Sequence, residues 1–134
     1  MKKLVPLFVF ALISSFSVVT LADGPATTFK KIQLSDKFLC EGAYHADFNR
    51  DGSEDVVSGP YWYEGPNFEK RHTVCEVKEY DPVRYSEIFL VYTDDFNGDG
   101  WTDILYAPFP GKDASWYENP GPDGTWKEHP ALKN

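Results

Sequence analysis

The chain has 134 residues, 13 basic against 21 acidic, with a net charge of −8 at neutral pH. A surface this acidic argues against nucleic acid as a partner and makes cations a natural one. The length allows one small domain with a modest core, and two cysteines make an even pair.

At the amino terminus Lys2 and Lys3 precede the apolar run "LVPLFVFALI", and a Ser-rich stretch ends at Thr20-Leu21-Ala22. That order predicts a secretory signal peptide over residues 1–22, cut after Ala22. A membrane anchor fits less well, because Pro6 and three serines break the segment and Asp23 and Pro25 follow it. No cysteine closes the apolar run, which argues against a lipoprotein. The expectation is an exported protein, periplasmic or extracellular, with residues 23–134 as its mature part. Since the removed segment carries two lysines and no acid, the mature chain is more acidic still. In an oxidising compartment Cys40 and Cys75 can join, while two buried free thiols explain the count equally well.

The rest of the chain is written twice. "DFNRDG" at Asp47–Gly52 returns 48 residues later as "DFNGDG" at Asp95–Gly100, and the text after each copy also agrees: "EDVVSGPYWYEGP" answers "TDILYAPFPGKDASWYENPGP". A fixed period of about 40 to 50 residues points to propellers or solenoids. The units divide as about 30–78 and 79–134. In each, "FLCEGAYHADF" or "EIFLVYTDDF" leads into the acidic loop, and "DVVSG" or "DILYA" leaves it. "YWYE" or "SWYE" follows, then a Gly-Pro turn and a short run such as "RHTVCEV". Aromatic and β-branched residues between Gly, Pro, Asn and Asp clusters, with no long stretch at helical period, predict an all-β class of two four-stranded antiparallel repeats.

Spacing decides what the loop can do. In D-x-N-x-D-G-x-x-D, side-chain oxygens fall at positions 1, 3, 5 and 9, and the glycine at 6 permits a sharp turn that aims the carbonyl of position 7 inward. The first copy supplies Asp47, Asn49, Asp51, the Ser53 carbonyl and Asp55. The second supplies Asp95, Asn97, Asp99, the Trp101 carbonyl and Asp103. Hard oxygen donors in one small turn suit calcium, and suit magnesium less, since that ion keeps its waters and demands a smaller octahedron. An EF-hand needs a bidentate Glu at position 12 and flanking helices, but Ser58 and Tyr106 stand there and the flanks read as strands. An Asp-Gly hairpin turn with surface acids is the plainer alternative, and two copies with every donor kept weigh against it.

"HADFNRDGSEDVVSG" and "TDDFNGDGWTDILYA" resemble FG-GAP/VCBS repeats, the calcium-loop blades of integrin-alpha-like β-propellers. "GPYWYEGPNFEKRH" and "FPGKDASWYENPG" are similar to secreted bacterial proteins of that group. The resemblance covers about residues 30–132 and implies propeller blades with one calcium each. Family members close a ring of about seven blades, and this sequence carries two. The expectation is an incomplete ring: the amino-terminal part of a longer propeller, a truncated product, or a protomer that completes its ring with copies of itself. The implied role is structural or in binding and adhesion, with a carbohydrate or a protein as ligand. The alternative is a fragment of a carbohydrate-active propeller enzyme of lyase or dehydratase type.

Other side chains invite catalytic readings. His45, His72 and His129 lie singly, and His72 and His129 occupy equivalent repeat positions, which favours packing because catalysis is seldom duplicated unit by unit. Trp62, Tyr63, Trp116 and Tyr117 suit inter-blade packing better than a sugar platform. Glu64 and Glu118 would have to meet across a shared cleft to act as a hydrolase pair. No G-x-S-x-G elbow occurs, and neither cysteine has an evident catalytic partner.

Overall fold

A computed structural model describes residues 27–133, so the expected signal peptide lies outside the described residues. Residues 27–31 are exposed and without regular structure, and everything below concerns the compact unit that starts at Ile32.

Strands β1 (Ala43–Ala46), β2 (Asp55–Ser58), β3 (Tyr61–Tyr63) and β4 (Arg71–Thr73) form one antiparallel sheet in sequential order. Strands β5 (Leu90–Asp94), β6 (Asp103–Ala107), β7 (Ala114–Glu118) and β8 (Lys127–Leu132) form a second of the same design. The all-β, twice four-stranded expectation is met, and both sheets are open. A single 3-10 turn, Gly121–Asp123, is the helical structure among the described residues.

Turn chemistry sets the hairpins. Gly59 at φ 63° opens the two-residue β2–β3 turn, where a left-handed first residue matches the twist of the strands. The second repeat replaces that turn by the longer Pro108–Asp113 loop, which absorbs its extra residues. The acidic loops are the β1–β2 and β5–β6 hairpins.

Paired residues in neighbouring strands share a face, so the register gives one row across each sheet. In the first sheet the row is Tyr44, Val57, Trp62, His72; in the second it is Tyr92, Leu105, Trp116, His129. Val57 and Trp62 of the first row pack onto the opposite face of the second sheet, where Val91, Ile104 and Tyr106 complete a core with Phe48, Val74 and Ile88, while Tyr44 stays 44% exposed. Full burial of side chains of this size contributes about 1.5–3 kcal/mol each. The second row has no third sheet over it among the described residues, and the cost falls on equivalent positions: Phe48 is 2% exposed, Phe96 42%.

Cys40 and Cys75 are free thiols packed against the core. Burial pushes both up, Cys75 to about 12 with help from Glu128 and Glu76.

Candidate metal centres

Each acidic hairpin folds around its own carboxylates. In the first, Asp47 Oδ1 and Oδ2 accept from the N–H groups of Asp51 (3.1 Å) and Gly52 (2.9 Å). Asn49 Oδ1 accepts from the same Asp51 N–H (3.0 Å), and Asp51 Oδ1 accepts from Ser53 N–H (2.8 Å). The second repeats this bond for bond: Asp95 takes Asp99 and Gly100 (3.1 and 2.8 Å), Asn97 takes Asp99 (2.9 Å), and Asp99 takes Trp101 (2.7 Å). Gly52 and Gly100, at φ 87° and 88°, are the position-6 glycines that make the turn possible. Side-chain oxygens at positions 1 and 3 therefore converge on one amide in both loops.

The ninth positions serve differently from the rest. Asp55 and Asp103 are fully buried, and both oxygens of each are engaged. Asp55 accepts from Phe48 N–H (2.9 Å) and from Gly65 N–H (2.8 Å), and Asp103 from Phe96 N–H (3.0 Å) and Asn119 N–H (2.8 Å). Each carboxylate thus buckles its acidic loop to the chain that leaves β3 or β7. One lone pair per oxygen remains for a cation. Burial raises both acids, while Ser53 and Trp101 N–H groups lower Asp51 and Asp99.

All ten expected donor residues thus lie in two equivalent hairpins. The donor set fits a hard cation: only oxygens, with three carboxylates per loop. The loops draw these oxygens together through N–H groups, and among the described residues no three His, Cys, Asp or Glu side chains are already gathered as a cage.

The loops also touch each other. The Arg50 guanidinium lies 4.0 Å from the centre of the Trp101 ring, so the fourth position of one loop reaches the seventh of the next. Arg50 has φ 59°, where its counterpart Gly98 has φ 79°. That left-handed backbone costs a non-glycine residue about 1–2 kcal/mol, and the contact with Trp101 offsets it.

Sequence reasoning missed the residue that joins the repeats. Asn119, buried beside Asp103, donates from Nδ2 to the Phe48 carbonyl (2.9 Å) and the Thr102 carbonyl (3.0 Å), and its Oδ1 accepts from Gly121 N–H (3.0 Å). The signal was present in the repeat alignment, where "ENPG" faces "EGPN" and Asn119 replaces Gly65.

The repeated aromatic and ionisable residues form packing units. His72 stacks on Trp62 at 4.1 Å and pairs with Glu64 at 2.6 Å; His129 stacks on Trp116 at 4.3 Å and pairs with Glu118 at 2.7 Å. Glu64 also accepts from Lys70, the leading reason its carboxyl is held low. Each carboxylate is tied within its own sheet. Neighbouring Trp62 and Tyr63 project to opposite faces, as do Trp116 and Tyr117, so neither pair makes one platform. A cavity of about 330 Å³ beside Trp62, Trp101 and Trp126 follows the join between the repeats.

No known family model matches this chain. No curated protein and no solved structure matches it either.

Proposed function

We propose that this chain is an exported, calcium-stabilised pair of β-propeller blades with a structural or adhesive binding role. The observation that carries the reading is the duplicated hairpin, in which every oxygen donor is kept and the hydrogen bonds agree position by position. Asp47, Asn49, Asp51, Asp55 and the Ser53 carbonyl would hold one ion, and Asp95, Asn97, Asp99, Asp103 and the Trp101 carbonyl the other. A bound calcium supplies two positive charges that relieve the mutual repulsion of three carboxylates. The protein's own contribution is to hold the first and second strands of each sheet in register around the loop. Packing of one sheet face on the opposite face of the next supports the blade reading.

Affinities typical of extracellular modules are expected, with dissociation constants of roughly 0.1–1 mM. Calcium should raise the melting temperature of the wild type, and Asp99→Ala should remove one site with about half of that gain. Equal melting with and without calcium would defeat the reading.

The pH dependence has a definite sign. Asp55 and Asp103 are raised in the fold, so their contribution to metal-free stability is present in acid and is lost as pH rises through their raised values. Calcium favours the ionised forms and cancels that loss. Its stabilisation is therefore expected to be largest near neutrality and to fade as pH falls through the same range, which melting curves across pH with and without calcium would read.

A further inference from the structure

We propose that the cavity of about 330 Å³ at the join between the repeats, lined by Trp62, Glu64, Trp101 and Trp126, holds one neutral sugar residue in its pyranose form. The proposal rests on the binding role given above, to which it adds a ligand class, and it needs no metal ion. Both repeats contribute to the walls, so the site belongs to the join and not to an outer face.

The repeat alignment separates this cavity from ordinary packing. Trp62, Glu64 and His72 have the counterparts Trp116, Glu118 and His129, but Trp101 stands where the first unit has Ser53, and Trp126 where it has Glu69. Residues that serve the fold of each sheet recur from unit to unit, and these two tryptophans do not. One wall is a stiff turn: Pro120, Gly121 at φ 67° and Pro122 follow the pinned Asn119, and a Cβ on Gly121 would come within 3.0 Å of the Trp101 ring. A cavity formed in advance, rich in aromatic rings and set between two structural units, has the build of a small-molecule site.

Two polar groups of the lining have bonding capacity to spare. Trp62 is 7% exposed, with His72 and Phe48 against its ring at 4.1 and 5.7 Å, yet its indole N–H has no acceptor among the described residues. Every fully buried side-chain nitrogen and oxygen among those residues is partnered, so this N–H keeps access to the space that Trp62 lines. Glu64 accepts from Lys70 and from His72 on the same Oε1, at 2.6 Å each, and its Oε2 takes no bond among the described residues. A hydroxyl accepts from an indole N–H and donates to a carboxylate oxygen, which makes it the complement of this pair. Trp126 is half-buried and meets Phe48 at 74°, which leaves indole surface for the C–H face of a sugar ring.

Charge decides between ligands. The Lys70 ammonium already answers the Glu64 carboxylate at 2.6 Å, so an added cation would meet Lys70 and an added anion would meet Glu64. A neutral molecule that is apolar on its ring face and hydroxylated around its edge avoids both costs and uses the groups left open. A pyranose has that build.

The test is an NMR titration of the indole N–H signals, one for each of the 4 tryptophans, with glucose, galactose, mannose and N-acetylglucosamine, and with glucosamine and glucuronate as charged controls. At least one neutral sugar is expected to shift the Trp62, Trp101 and Trp126 signals with a roughly millimolar dissociation constant, while Trp116, outside the lining, stays still. Trp126→Ala and Glu64→Gln should each weaken binding at least ~10-fold with circular dichroism unchanged. Should Trp126→Ala fail to fold, Glu64→Gln and the pattern of wild-type shifts decide alone. No shift with any neutral sugar, equal movement of Trp116, tighter binding of a charged sugar, or a folded variant that binds as the wild type does overturns the proposal. Repeating the titration in calcium and in a chelator separates the two ideas: calcium binding without sugar shifts removes only the sugar site, and sugar shifts without calcium binding remove only the calcium reading.

Discussion

Asp103→Ala is expected to lower folding stability by about 2–4 kcal/mol. Its carboxylate accepts from the N–H groups of Phe96 and Asn119, so truncation leaves two donors without a partner at a fully buried position. A buried donor left unmade costs about 1–3 kcal/mol, and relief from burying a carboxylate offsets part of the sum. The loss should appear in urea unfolding as a lower midpoint with an unchanged slope. Asp103→Asn keeps one acceptor but turns an NH2 toward a donor, so it should recover only part of the loss. Asp55→Ala should behave alike, because Asp55 bonds Phe48 and Gly65 in the same way. If both alanine variants unfold within about 0.5 kcal/mol of wild type, the buckle role is wrong.

Asn119→Ala should cost a similar amount, about 2–4 kcal/mol, by a different route. It removes three hydrogen bonds, and two of the abandoned partners are carbonyls that lie in separate repeats. Asn119→Asp should be worse than Asn119→Ala, since a carboxylate would face the Phe48 and Thr102 oxygens with no proton to offer them. Hydrogen exchange distinguishes this from a general loss of stability: amides of the first acidic loop should open faster, although the substitution lies in the second repeat. Equal effects of the two substitutions would show that the amide's donor is not what matters.

The repeats made much of the fold legible. Two copies of an Asp-rich, Gly-containing loop fixed the positions of two hairpins, and the aromatic and β-branched runs on either side became β2, β3, β6 and β7 close to where they were expected. The first strand came out shorter than the run "FLCEGAYHADF" suggested: residues before Ala43 turn away, with Leu39 against Gly59 and the Glu41 and Gly42 N–H groups bonded to the Ile88 carbonyl. What a one-dimensional reading could not supply was direction. Asp55 looked like one more oxygen donor beside Asp51, and only the fold shows it pointing inward to two amides while Asp51 stays at the surface. The same holds for Glu64, whose repeat partner Glu118 suggested a pair, while hydrogen bonds tie each to a histidine of its own sheet. Asn119 was visible as a letter that differs between copies, but its weight comes from the 71 residues of sequence between it and the Phe48 carbonyl it caps.

The join between the sheets has one more consequence. Arg50 reaches forward to the next loop and Asn119 reaches back to the previous one, across a spacing of 48 residues that separates the two loops. Arg50 aligns with Gly98, Trp101 with Ser53 and Asn119 with Gly65, so the joint is written in the differences between the two units rather than in what they share. Exact copying of either unit would not reproduce both contacts; the two segments had to diverge before they could fasten to each other in this way.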